Sequence, residues 1–310
     1  MRILITGSSG QIGTNLGLAL QKRGDTVVGI DKRANTWTRE IETISADLTQ
    51  LTSGELPVSG KFDAVIHLAA HAKVFELVEQ PGRALENVSM TFAALEFCRR
   101  TNTPIIFGSS REVYGDITRH VTEEEHADFI VAESPYSASK ICGEAFIYSY
   151  AECYGLPYLV FRFSNVYGRF DCDLERMERV IPLFIRKIER DEPIVVFGRD
   201  KVLDFTYVDD CVQGVMKGID ALVERRVNAK TINVAYGQGS TLVDLVNLIG
   251  LVLRKKPIAT YEPARAGEVT RYVADLTKAR QLLGYWPETP LTAGVAKAIE
   301  WQKTIGFVKS

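Results

Sequence analysis

Ile3-Leu4-Ile5-Thr6-Gly7-Ser8-Ser9-Gly10-Gln11-Ile12-Gly13 decides how the rest of the chain is read. Ile3–Thr6 is a short apolar run and reads as a buried strand, and a helical pattern follows over Gln11–Arg23. The glycines between them permit a tight turn and close approach of the backbone to a phosphate. A pyrophosphate is well placed there on the free N–H groups of a helix N-terminus. The spacing is G-x-x-G-x-x-G, not G-x-G-x-x-G, so the turn differs in detail from the commonest dinucleotide fingerprint. Asp31 ends the next strand, 18 residues after Gly13. A carboxylate there hydrogen-bonds an adenosine ribose and repels a 2′-phosphate, which favours NAD. Lys32 and Arg33 follow at once, and a basic side chain accepts such a phosphate, so NADP stays open on this stretch alone. Gly7, Gly10, Gln11, Ile12, Gly13, Asp31 and Lys32 are therefore candidate cofactor contacts. Asp47 and Leu48, after a short strand around Glu42–Ala46, either meet the adenine edge or form a surface turn.

Outward from this turn, short apolar runs alternate with longer helical patterns, the signature of βαβ units and a parallel sheet. Thr26–Ile30, Ala64–Leu68, Ile105–Phe107 and Tyr158–Phe161 read as further strands, and Pro81–Arg100 and Tyr136–Tyr154 as helices. After about Phe163 the rhythm changes. A charged loop from Arg169 to Arg179 leads into a helix ending near Arg190, a strand Ile194–Phe197, a helix Val208–Ile219 and a strand Thr231–Val234. Helices near Leu242–Leu253, Leu276–Leu283 and Leu291–Gln302 complete the chain. The expectation is an α/β fold, a doubly wound parallel Rossmann sheet with a smaller C-terminal α/β substrate lobe. Residues 1–166 form the cofactor-binding domain, to which 205–235 return, and 167–204 with 236–310 form the lobe. Ligands in such sheets sit outside the carboxyl ends of the strands, so the cleft between the two is the expected site.

Composition narrows the function. The 310 residues are 46% hydrophobic and 25% charged, as in ordinary globular proteins, and the net charge of −2 gives no reason to expect nucleic acid or an anionic membrane as partner. Five cysteines without a C-x-x-C pair and four histidines without ligand spacing suggest neither a disulfide framework nor a metal. No apolar run approaches transmembrane length, and the first residues read as a strand and not as a signal peptide. A soluble cytoplasmic protein is expected.

The run Ser134-Pro135-Tyr136-Ser137-Ala138-Ser139-Lys140 carries the chemistry. Residues four apart share a helix face, so the Tyr136 phenol and the Lys140 ammonium point into the same space. A fixed cation beside a phenol lowers its pKa from about 10 and makes it a base for a sugar alcohol. Chance supplies this spacing readily among 12 tyrosines; its companions give it weight.

With the glycine turn, the chain resembles the extended short-chain dehydrogenase/reductase superfamily, and within it the nucleotide-sugar epimerase/dehydratase branch. The resemblance covers essentially the whole chain: His67-Leu68-Ala69-Ala70, Ser109-Ser110-Arg111-Glu112-Val113-Tyr114-Gly115, Tyr136 with Lys140, Arg162-Phe163-Ser164-Asn165-Val166-Tyr167-Gly168, Asp204-Phe205-Thr206-Tyr207-Val208-Asp209-Asp210 and Arg265-Ala266-Gly267-Glu268. It implies that Ser110 holds the sugar 4-oxygen beside Tyr136, which removes the 4-OH proton while C4 hydride passes to NAD. Lys140 holds the nicotinamide ribose and tunes the tyrosine. Leu68, Ala69 and Ala70 line the cofactor groove with Asn87 near it, and Ser109 and Phe163 border it. Asn165 and Arg265 hold the nucleotide diphosphate, and Ser110, Arg111 and Tyr136 face the sugar. His67, on an apolar strand, reads as a core residue. A homodimer is implied, built from helices Pro81–Arg100 and Tyr136–Tyr154; Phe146, Ile147 and Tyr150 suit either that interface or the core.

Two departures from the family pattern bear on the reaction. Leu203 stands where the family has an arginine contacting the diphosphate, and the preceding loop, Gly198 to Val202, is one residue short; Arg199 or Lys201 offers the charge from elsewhere. Arg111-Glu112 stands where dehydratases carry an acidic pair. Glu112 suits base chemistry at C5, whereas a guanidinium is a poor proton donor and instead pairs with Glu112 or binds a sugar carboxylate. The expected activity is therefore a 4-epimerase of UDP-glucose/UDP-galactose type working through a 4-keto sugar. A 4,6-dehydratase or UDP-glucuronate decarboxylase using Glu112 is the alternative. A non-catalytic NAD-sensing protein is a more remote one, since Ser110, Tyr136 and Lys140 are all kept.

Overall fold

In chain order the elements are β1 (Arg2–Thr6), α1 (Gln11–Arg23), β2 (Thr26–Asp31), β3 (Glu42–Ser45), β4 (Ala64–His67), α2 (Val74–Glu79), α3 (Gly82–Thr101), β5 (Ile105–Ser110), α4 (Pro135–Tyr154) and β6 (Tyr158–Phe163). There follow β7 (Asn165–Tyr167), α5 (Val180–Glu189), β8 (Ile194–Phe197), β9 (Val202–Tyr207), α6 (Val208–Val223), β10 (Lys230–Val234), β11 (Gly239–Thr241), α7 (Leu242–Leu253), β12 (Ala259–Glu262), α8 (Thr277–Leu283) and α9 (Leu291–Thr304). The computed structural model describes residues 1–51, 53–115, 132–174 and 179–308. Residues 175–178, part of the charged loop expected between Arg169 and Arg179, lie outside the described residues.

Seven strands make one parallel sheet in the order β10-β6-β5-β4-β1-β2-β3. The order reverses between β1 and β4, and the crevice at that switch point is where such sheets bind ligands. Strands covered on both faces read as continuous apolar runs, and successive side chains serve opposite layers. Leu4, Val28, Val65, Ile105 and Phe107 pack with Met90, Ala94, Leu95 and Phe97 of α3 and with Ile147 and Tyr150 of α4. Ile3, Ile5, Ile66, Ile106 and Phe161 pack with Leu16 and Leu20 of α1 and with Val215 and Ile219 of α6. That second layer runs without interruption into Phe184, Ile185, Leu245, Ile249 and Val295 of the C-terminal elements. His67 belongs to the core: Nδ1 lies 2.7 Å from Thr6 Oγ1, Nε2 lies 3.3 Å from Thr91 Oγ1, and burial pushes its pKa down to about 3.

The lobe is built from a three-stranded sheet, β11-β9-β7, and the pair β12-β8. Residues 208–234 return to the sheet through α6 and β10, whereas 165–166 and 205–207, expected in the cofactor domain, lie in β7 and β9 of the small sheet; α8 also packs back on α6 and β10. The sequence gives no period for β7 and β11, each three residues long, because such runs are too short to show one. α2, six residues, is below the length at which helical spacing is readable. β5 runs three residues past Phe107: Gly108, Ser109 and Ser110 have low strand propensity, yet register with Phe161, Arg162 and Phe163 of β6 holds them extended. Among the described residues no helix is long and apolar enough to cross a membrane.

α4 is the element whose placement matters most. Ser134 and Ser137 form a reciprocal capping box with Pro135 in the first turn, and Gly155 ends the helix in the left-handed conformation at φ 65°. In its middle, Gly143 lets the helix sit directly on β5: a Cβ there would stand 2.5 Å from Phe107 Cζ. Gly143→Ala is expected to cost about 1–3 kcal/mol of stability, the usual penalty of overpacking, measured by denaturant unfolding, and to lower turnover by lifting α4 off the sheet. Unchanged stability and turnover would contradict this account of the contact.

Candidate active site

β5 ends at Ser110, whose hydroxyl accepts the Glu112 N–H at 3.2 Å and starts a single turn, Arg111–Tyr114. The first turn of α4 brings Tyr136 beside it, close enough for the Ser110 hydroxyl to favour the ionised phenol. Lys140, one turn on, donates from Nζ to the Gly108 carbonyl at 2.7 Å and lies 5.0 Å from the Phe107 ring and 5.9 Å from that of Tyr136. The three expected catalytic residues are thus gathered at the carboxyl end of β5, all of them buried.

Their electrostatics correct one expectation. Burial pushes the Tyr136 phenol up to about 12, against the Ser110 hydroxyl and the Arg111 and Arg179 guanidiniums, with the Glu112 carboxylate adding to the rise. Burial also brings Lys140 down to about 8, and Glu144 opposes that fall. Lys140 therefore does not lower the phenol's pKa in the protein alone. Its ammonium is spent on a carbonyl, and desolvation outweighs a charge at that distance.

Glu144, one further turn along α4, is the hub behind the site. Arg162 of β6 forks onto it, Nε to Oε1 at 3.0 Å and Nη2 to Oε2 at 2.6 Å. Ser109 donates to Oε1 at 2.5 Å and Tyr148 to Oε2 at 2.9 Å. Ser109, assigned to the cofactor groove, thus has its hydroxyl turned away to Glu144, leaving only its backbone for a ligand. The sequence contains a signal for this hub, since Glu144 follows Lys140 by the same four-residue step that joins Tyr136 to Lys140.

The glycine turn fits a dinucleotide. Gly7 has φ 76°, and a Cβ on it would stand 2.7 Å from Ala69 N; a Cβ on Gly13 would stand 2.3 Å from Gly7 O. Gly10 caps α1 without any side-chain acceptor, so the first N–H groups of the helix stay open to an anion. Asp31, at the end of β2, accepts the Ser9 and Arg33 N–H groups at 3.1 and 3.0 Å, which fixes its carboxylate at the groove. Gln11 accepts an Arg179 N–H through Oε1, while its Nε2 is buried without a partner.

The remaining groove residues divide by what their side chains already do. Lys32 is exposed and acts electrostatically on Asp47, while Asp47 Oδ1 caps the turn Leu48–Gln50 by accepting from Thr49 and Leu48 is buried in the core. Ile12, Leu68, Ala69 and Ala70 are half-buried along the groove wall, and Phe163 is nearly buried beneath Gly108. Asn87 spends its amide on the protein, Oδ1 accepting His71 N at 2.7 Å and Nδ2 donating to His71 O and Ser139 Oγ, so it shapes the groove instead of reaching a ligand.

Facing these from the turn after β5, Arg111 Nη2 reaches Glu112 at 3.0 Å and Asn165 Oδ1 at 3.3 Å, and Asn165 Nδ2 donates to Asp204 O at 3.1 Å. Arg265 lies across Phe197 at 4.0 Å and Phe75 at 5.0 Å, bridging the lobe and α2. Where the arginine is lacking, Leu203 is buried, Arg199 stacks on Tyr261, and Lys201 pairs with Glu268. Arg179 carries a signal no spacing gives. It donates to Gln11 and to the Val166 carbonyl and acts electrostatically on Tyr136, reaching the cofactor turn from beyond the charged loop.

Residues 3–235 match the model of the NAD dependent epimerase/dehydratase family. A putative UDP-glucose 4-epimerase of Methanocaldococcus jannaschii is 30% identical over 309 residues, 97% of this chain and 98% of that protein. The crystal structure of UDP-glucose 4-epimerase from Thermotoga maritima with UDP-glucose is 27% identical and superposes with a TM-score of 0.89 over 98% of this chain and 99% of that one. UDP-glucuronic acid 4-epimerase from Bacillus cereus, in complex with UDP-glucuronic acid and NAD, is 25% identical and superposes with a TM-score of 0.85 over 98% and 100%.

Glu144→Gln tests the hub. It removes the negative charge that holds Lys140 up, so Lys140 loses its proton at a pH below about 8. The alkaline limb of the kcat/KM profile is expected to move toward neutrality, activity above the new pKa falling roughly tenfold per unit. An unmoved limb would show that Glu144 does not set the charge of Lys140.

Proposed function

This chain belongs to the NAD dependent epimerase/dehydratase family, and we propose that within it the protein is an NAD-dependent UDP-sugar 4-epimerase. The observation that carries this reading is the meeting of Ser110, Tyr136 and Lys140 at the carboxyl end of β5, opposite a glycine cradle that only a backbone-hugging ligand fits.

Gly7, Gly10 and Gly13 would hold the NAD pyrophosphate, Asp31 the adenosine ribose and Lys140 the nicotinamide ribose. When bound, NAD supplies a hydride acceptor that becomes a donor, and in its oxidised form a positive charge. Tyr136 takes the proton of the sugar 4-hydroxyl and later returns it. Ser110 donates to the same oxygen and steadies the charge that develops on it. Lys140 fixes the groove through the Gly108 carbonyl. Asn165 and Arg265 offer an amide and a guanidinium to the diphosphate, with Arg265 already seated at the mouth of the cleft on Phe197 and Phe75. Epimerisation needs no further acid or base, because the ketone accepts hydride on either face once it turns. The dehydratase and decarboxylase alternative is not favoured: Arg111 occupies the acid's position and ties up Glu112, and the relatives are named as 4-epimerases.

A homodimer through α3 and α4 is part of the proposal. Leu85 is 72% exposed and Tyr154 58%, both on these helices, and Arg99 stacks on Tyr154. Ile147 and Tyr150 are core residues and lend it no support. All five cysteines are free thiols, which suits the reducing cytoplasm.

Incubation with UDP-glucose, UDP-galactose, UDP-N-acetylglucosamine, UDP-glucuronate and dTDP-glucose is expected to return sugars of unchanged mass and inverted C4 from at least one of the UDP-sugars; loss of water or carbon dioxide would overturn the reading. Tyr136→Phe is expected to lower turnover by about 10²–10⁴-fold while NAD remains bound by absorbance. Light scattering is expected to give a dimer mass, and a concentration-independent monomer would refute the interface.

A further inference from the structure

Arg111 and Glu112 are the two residues of the catalytic turn that the 4-epimerase reaction leaves unused. Both are nine-tenths or more buried, at 9% and 4% exposure. Each has one atom spoken for and one without a partner. Arg111 Nη2 is bonded to Glu112 and Asn165, but Nη1 is buried without a hydrogen-bond partner, and so is Glu112 Oε2. An unsatisfied charged donor and an unsatisfied charged acceptor on adjacent residues are costly in a folded protein and call for an explanation. The Glu112 N–H donates to the Ser110 hydroxyl at 3.2 Å and both residues open the turn that follows it, so they adjoin the place where the sugar is deprotonated.

Resting on the UDP-sugar 4-epimerase reading above, we infer that Arg111 and Glu112 are specificity-determining residues that admit an uncharged, hydroxyl-bearing sugar and turn away a hexuronate. A hydroxyl both donates and accepts, so one such group satisfies Glu112 Oε2 with its hydrogen and Arg111 Nη1 with its oxygen. A carboxylate accepts only. It would leave Oε2 orphaned and set a second negative charge beside Glu112 in a buried place, where like charges repel strongly. The opposite reading takes Arg111 as a carboxylate clamp, as guanidiniums often are. The local charge balance opposes it, since the guanidiniums and the Lys201 ammonium around Tyr136 and Glu112 already face acids, and Lys140 is held on the Gly108 carbonyl. Arg111 pairs with Glu112, Lys201 with Glu268, and Arg179 lies in the field of Asp171. These three cations are thus already matched by acids before any carboxylate enters.

The test measures kcat/KM for UDP-glucose, UDP-N-acetylglucosamine and UDP-glucuronate at pH 7.5, with displacement constants for UDP-glucose and UDP-glucuronate, on the wild type and on Glu112→Gln. The better neutral sugar is expected to exceed UDP-glucuronate by at least tenfold in the wild type. Glu112→Gln keeps the shape, frees Arg111 and removes the repelling charge, so that ratio is expected to narrow by tenfold or more. Equal or better use of UDP-glucuronate by the wild type would overturn the inference, and so would an unmoved ratio in the variant. Should Glu112→Gln not fold, the wild-type ratio decides alone. Absence of any C4 epimer from all three sugars would instead overturn the 4-epimerase reading, and the displacement constants would then still rank the neutral sugar against the uronate.

Discussion

The buried ion pair between Glu144 and Arg162 is the constraint from which the site is built. Taking both charges out of water costs several kcal/mol per ion, so the pair persists only because its geometry is good and its remaining sites are filled. The forked guanidinium, the Ser109 hydroxyl and the Tyr148 hydroxyl fill them. One carboxylate thus fastens α4 to β5 and β6 at a single register. Two turns back along the same helix face stands Tyr136, and one turn back Lys140, so the pair that holds the scaffold also aims the chemistry. Gly143, beside Glu144, has no side chain to meet the Phe107 ring, so helix and sheet approach closely there.

Burial has a second effect on the same residues. It raises the Tyr136 pKa and lowers that of Lys140, so in the protein alone the ionised phenolate and the ammonium are both disfavoured. The site is therefore not a standing base. The positive charge of an oxidised nicotinamide, held by Lys140 beside Tyr136, would favour the phenolate and offset part of that rise.

The fold was legible in the sequence where physics is local. The apolar runs of β1, β2, β4 and β6 and the glycine turn with Asp31 have short-range signatures. So does the four-residue step from Tyr136 to Lys140. What the sequence concealed depends on contacts between distant segments. Arg179 meets Gln11 across 168 residues, and Lys201 meets Glu268 across 67. The extension of β5 through Gly108-Ser109-Ser110 is imposed by β6 and not by its own residues. The reduced phenol pKa was inferred from spacing alone; desolvation, invisible in spacing, reverses it. At Arg111 and Glu112 the sequence leaves pairing with each other and binding of a sugar carboxylate as alternatives; the structure shows the pairing and, beyond sequence, the two atoms left open.

The contacts of Arg169 and Arg179 with α1 have a kinetic consequence. Arg179 is hydrogen-bonded to Gln11 in the first turn of that helix, and Arg169 reaches Asn15 one turn further on while pairing with Asp209. Arg169 and Arg179 therefore both hold the helix whose first turn opens on the cofactor's cradle. A dinucleotide lying on the first turn of α1 would be held by a helix these bonds make rigid, whereas the sugar cleft does not involve them. Residence times should separate accordingly, with many sugars passing for each dinucleotide that leaves. For a reaction that restores its oxidant within every cycle, a slow cofactor off-rate imposes no limit on turnover.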